Sequence, residues 1–115
     1  MPNRRFPTEQ DTELTKSRLQ RHALQYIGTG GIVEIRSRLK GEHLYLEVVK
    51  QTEQGLFKRV MGNKAVAKLA RLEYEGPNRW KFLIYDHQIQ KYVVHKGFGE
   101  GTIEECLDAA AGVYL

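Results

Sequence analysis

At Ile32 the spacing of apolar residues shortens from a helical period to a period of two. Val33 and Ile35 alternate with Glu34, Arg36 and Arg38, as in a strand with one wet face. A second run, Leu44, Leu46 and Val48, follows the turn signal Lys40-Gly41, and a third, Trp80, Phe82 and Ile84, follows Gly76-Pro77-Asn78. Successive side chains of a strand point to opposite faces, so each run commits one face to a core and leaves the other to solvent. Such a chain can fold into antiparallel hairpins covered on one side.

The remaining segments supply the cover. Thr8 followed by Glu9 and Asp11 predicts a helix start, with a capping oxygen and acids set against the positive end of the dipole. This helix is expected to run to about Ile27, with Leu19, Ala23, Tyr26 and Ile27 on one face, and to stop at Gly28-Thr29-Gly30-Gly31. Thr52-Glu53-Gln54-Gly55 reads as a turn, Leu56 to Met61 as a third strand, and Asn63 as the cap of a short helix that buries Val66, Leu69 and Ala70. Leu72 to Glu75 extends that helix or forms a strand, and Arg79 to Tyr85 with Gln90 to Lys96 makes a hairpin. Thr102-Ile103-Glu104-Glu105 fits a capping box that opens a final helix with Ile103, Leu107 and Ala110 facing inward.

The expected fold is therefore α+β: an N-terminal helix, an antiparallel sheet of about five or six strands and two further helices packed on one face, in the order α-β-β-β-α-β-β-β-α. Leu44, Leu46 and Val48 align with Trp80, Phe82 and Ile84 at a constant offset of 36. That offset suggests duplicated strand-strand-helix units at about 41–72 and 76–115, although two hairpins of similar length give the same appearance. At 115 residues a single domain is expected, with residues 1–7 as a flexible lead-in.

Several function classes find no support. Cys106 is the sole cysteine, so no intrachain disulfide can form, and no apolar run approaches the roughly 18 residues of a membrane span. No apolar stretch follows Arg4-Arg5 at the N-terminus, which makes the cytoplasm the expected location. His22, His43, His87 and His95 have no spacing that makes a zinc site, and no nucleophile, base or carboxylate pair argues for catalysis, so neither a cofactor nor a metal is expected. Gly97-Phe98-Gly99-Glu100-Gly101-Thr102 sits where a phosphate loop would, but Thr102 replaces the third glycine and Glu100, Glu104 and Glu105 would repel the ligand.

Charge points elsewhere. Residues 1–99 hold all 18 Lys and Arg against 10 acids, whereas the last 16 hold four acids and no Lys or Arg. A basic body suits an anionic partner such as DNA or RNA. Lys64, Lys68 and Arg71 stand at i, i+4 and i+7, one face of the expected second helix, preceded by Lys58-Arg59. The plain alternative is a solvated helix face. A second surface lies on the sheet, where Arg36 and Arg38 share one strand face and Arg79, Lys81 and Tyr85 share another, cations interleaved with an aromatic ring. Trp80 points to the opposite side from Tyr85 and belongs to the core.

A helix, three strands and a helix opened by Gly62-Asn63-Lys64-Ala65-Val66-Ala67-Lys68 resemble the double-stranded-RNA-binding domain over residues 8–72. The resemblance implies phosphate contacts by Lys64 and Lys68. Only Lys64 stands where the family has paired lysines, and a further hairpin and helix follow. The leading expectation is a small nucleic-acid-binding accessory protein. The alternative is a protein-interaction module or small regulator, docking on a partner or a second copy, and its mark would be Leu14, Leu19, Leu24 and Ile27 failing to share one intramolecular face.

Overall fold

The computed structural model describes residues 7–51 and 64–114, with Lys64 placed by its backbone. The expected turn at Thr52–Gly55, the strand at Leu56–Met61, the Asn63 cap and most of the lead-in lie outside the described residues. Helix α1 (Glu9–Ala23) opens as the sequence requires: the Asp11 amide donates to Thr8 Oγ1 at 3.0 Å. It stops four residues short of Ile27. The Leu24, Gln25 and Tyr26 amides donate to the carbonyls of Arg21, His22 and Ala23, so the last turn tightens to three-residue spacing and satisfies its own ends. Only Thr15, Leu19 and Ala23, four residues apart, are buried along it.

Six antiparallel strands follow: β1 (Ile32–Lys40), β2 (His43–Gln51), β3 (Lys64–Gly76), β4 (Arg79–Asp86), β5 (Lys91–Val94) and β6 (Glu100–Gly101). They form one sheet in the order β1-β2-β3-β4-β5. β5 pairs with the Leu83–Asp86 half of β4, and β6 with Trp80 and Lys81, so both lie along the same edge. Between them the chain folds inward: the Phe82 amide donates to the Gly99 carbonyl at 2.8 Å, and the Phe98 ring meets Phe82 at 5.3 Å. A Cβ on Gly101 would come within 2.7 Å of that Phe98 ring, which explains the glycine.

Helix α2 (Ile103–Tyr114) ends the described chain. Its capping box is formed: the Thr102 amide donates to Glu105 Oε1 at 2.9 Å, and the Glu105 amide to Thr102 Oγ1 at 3.1 Å. The Ile103 amide donates to Asn78 Oδ1 at 3.0 Å, tying the β3–β4 turn to the helix start. Both helices lie on the face where Leu44, Leu46, Leu72, Trp80, Phe82 and Ile84 are buried. Among the described residues, no helix is long and apolar enough to cross a membrane.

One expected element is overturned. Residues 64–71 are strand, so the described residues hold two helices rather than three, and the helix needed by the first duplicated unit and by the double-stranded-RNA-binding resemblance is not there. Leu72 to Glu75 belongs to the same strand. Lys, Ala, Leu and Arg favour helix, but such preferences amount to a few tenths of a kcal/mol per residue. β3 is paired on both sides, with Leu44 and Phe82 flanking Leu72, and the packing of a central strand outweighs local preference.

Two phenols tie α1 to the rest. Tyr74 donates to Asp11 Oδ2 and Tyr26 to Asp108 Oδ1, each at 2.6 Å. Burial, then the carboxylate hydrogen bond, pushes each phenol from 10.0 up to about 12. Because the folded values are raised, the neutral phenols stabilise fully below pH 10, and that stabilisation disappears as pH rises to about 12. Unfolding midpoints measured across this range should fall, and Tyr74→Phe should flatten the fall; an unchanged pH profile in the variant would remove the Tyr74 link.

Candidate nucleic-acid interface

The face of the sheet away from the helices is built from the alternate residues. Register aligns Arg38, Tyr45, Arg71, Leu83 and Val94 in one row across five strands. The next row holds Arg36, Glu47 and Lys68 on β1 to β3 and the Tyr85–Tyr92 pair on β4 and β5. Lys68 and Arg71 are three apart and would face opposite ways in a regular strand. A bulge between the pairs Glu47–Lys68 and Leu46–Ala70 inserts Leu69 and restores Arg71 to the side of Lys68. The Lys68 carbonyl at this bulge accepts from Tyr114 Oη at 2.8 Å and from His87 Nε2 at 3.1 Å, so α2 and the β4–β5 turn hold it in place.

Three tyrosines stand among these cations. Tyr92 lies between Tyr45 and Tyr85, with ring centroids 5.8 and 4.9 Å away and each pair inclined by 65°. Arg38 sits 5.9 Å from the Tyr45 centroid, Lys68 5.2 Å from Tyr85 and Arg71 5.3 Å from Tyr92, all within cation–π range. Burial raises the Tyr92 phenol, with Tyr45 and Glu47 adding to the shift and Arg71 opposing it. Arg71, Leu83 and Val94 also line an open groove of about 460 Å³.

The cations differ in how they are answered. Arg36 lies 3.5 Å from Glu34 and Arg38 4.0 Å from Glu47, all partly exposed. Pairs of this kind contribute about 0–1 kcal/mol, so a phosphate can displace them. Glu73 is drawn to His43 at 3.4 Å. Lys68 and Arg71 have no carboxylate partner among the described residues, and the buried Arg71 Nε has no acceptor.

Of the residues singled out from sequence, Arg36, Arg38, Lys68, Arg71 and Tyr85 come together on this face. The helix stripe and the sheet surface expected separately thus merge into one. Lys81 shares the face but sits in register between Glu73 and Glu100. Arg79 donates to Glu100 Oε2 at 2.5 Å. Both therefore stand at an acidic margin. Lys64 opens β3, and Lys58 and Arg59 lie outside the described residues.

Tyr45 and Tyr92 were missed, yet a signal existed. Period two places Tyr45 opposite Leu44 and Leu46, hence on the open side, and Tyr92 lies within the strand expected from Gln90. The other chemistry-bearing groups lead nowhere comparable. Cys106 is fully buried, its thiol pushed up to about 12 by burial, and such a thiol is inert. Among the described residues, no group of three His, Cys, Asp or Glu is arranged to hold a metal ion. Compared with family models, with curated proteins and with solved structures, the chain matches none.

Proposed function

We propose that this protein is a small nucleic-acid-binding accessory protein that holds phosphates on the open face of its sheet, through Arg36, Arg38, Lys68 and Arg71. A cytoplasmic location is part of the proposal. The observation that carries it is the gathering of these four cations from two strands, β1 and β3, onto a face that no helix covers among the described residues. Sequence-independent binding rests on such phosphate contacts, and each contact releases a counterion. Lys81 and Arg79, beside Glu100, add little.

Amide spectra recorded by NMR during titration with an oligonucleotide test the assignment. Shifts should concentrate at Arg36, Arg38, Tyr45, Lys68, Arg71 and Tyr92, and shifts confined to α1 and α2 would overturn it. A second reading, a protein-interaction module that docks on a partner or a second copy, is favoured by one observation. Leu14 and Leu24 are 59% and 69% exposed while Leu19 is fully buried, so the apolar residues of α1 do not share one face. Spectra of the protein alone decide whether copies associate there: concentration-dependent shifts around Leu14 and Leu24 support self-association, and constant spectra remove it.

A further inference from the structure

We infer that the nucleic acid taken by this face is single-stranded, with about three nucleotides each engaging one tyrosine ring and one cation. The inference rests on the nucleic-acid reading above and adds the class of strand. Its basis is the pairing of rings with cations: Arg38 with Tyr45, Lys68 with Tyr85 and Arg71 with Tyr92, each within 6 Å of the ring centroid. A nucleotide carries the complementary pair. Its base presents a π-face to the ring, and its phosphate attracts the cation beside that ring.

A duplex cannot use this arrangement. Its bases are stacked on one another and paired, so only phosphates would reach a sheet surface, and the rings would contribute nothing. Tyr92 is also inclined at 65° to each of its two neighbours, so bases resting on adjacent rings must splay apart rather than stack in parallel. Unpaired strands allow that splaying.

Arg71 marks the centre. It lies over the middle ring, Tyr92, and its guanidinium has no carboxylate partner among the described residues. Glu47 and Glu73 do not answer it, being drawn to Arg38 and His43. A base edge or a phosphate oxygen would. In the other polar cluster, where α1 meets α2, the cations Arg18 and His22 are instead already paired with Glu104 and Asp108 at 2.7 and 2.8 Å.

Fluorescence anisotropy with a labelled pyrimidine oligonucleotide, used alone and annealed to its complement, tests the inference. The wild-type protein should prefer the single strand by roughly ten- to a hundredfold, the scale of one to a few stacked bases. Tyr92→Leu should lose most of that preference while keeping its duplex affinity, and Tyr92→Phe, which retains the ring, should keep both. Tyr45→Leu, at the outer end of the trio, serves the same purpose if Tyr92→Leu does not fold by circular dichroism. Equal affinity for the two probes, or a preference untouched by removal of a ring, overturns the inference and leaves the phosphate reading standing. No salt-sensitive binding of either probe overturns both.

Discussion

Replacing Phe82 with alanine should lower stability by about 3–5 kcal/mol, a large part of the roughly 5–15 kcal/mol that holds a domain of this size together. Phe82 is 1% exposed, sits opposite Leu72 in the sheet and meets the Phe98 and His95 rings at 5.3 and 5.9 Å. Its amide also anchors Gly99. The side chain is therefore the support against which the chain between β5 and β6 turns inward, toward the start of α2. Truncation opens a cavity there that β4, paired on both sides, cannot close. Phe82→Leu, which keeps much of the volume, should lose markedly less. Urea unfolding gives the comparison, and a loss below about 1 kcal/mol for the alanine variant would place Phe82 outside the core.

Changing Arg38, Lys68 and Arg71 together to alanine should leave the fold intact and reduce affinity for an oligonucleotide on the order of a hundredfold or more at low salt. Arg38 and Lys68 are exposed and Arg71 is half-buried, and none of the three bonds a carboxylate at close range among the described residues. Their removal costs little stability for that reason. The cost falls on binding, because these cations flank the tyrosine trio and two of them have no competing acid. The same loss of charge on α1, with Lys16, Arg18 and Arg21 changed to alanine, removes cations from the opposite side of the molecule. Affinity in that variant should move by no more than a few fold.

Much of the fold was readable because its signals are local. The period-two runs at Leu44–Val48 and Trp80–Ile84 each have a buried and an open face, and the caps at Thr8 and Thr102 bond as their spacing requires. The segment from Lys64 to Arg71 was not readable, for a specific reason. A bulge at Leu69 adds one residue to the strand, so Lys68 and Arg71 share a face at a separation of three, which is also the spacing of a helix face. With alanine, leucine and lysine around it, a bulged strand imitates an amphipathic helix. Lys68 and Arg71 thus share a face, that of a strand rather than a helix. Tyr45 and Tyr92 went unnoticed because they are 47 residues apart in sequence and meet only once β3 and β4 are placed between their strands. The early end of α1 has a similar cause, since nothing local distinguishes a helix that continues to Ile27 from one whose last turn tightens after Ala23.

The dependence of affinity on salt is the most direct test of the claim that the open sheet face holds phosphates. Four cations in contact predict that the logarithm of the association constant falls against the logarithm of salt concentration with a slope of about −3. In the Arg38, Lys68 and Arg71 triple variant, only Arg36 remains of the four, and the slope should shrink to about −1. A variant slope equal to that of the wild-type protein would contradict the account, because the phosphates would then be held elsewhere on the molecule.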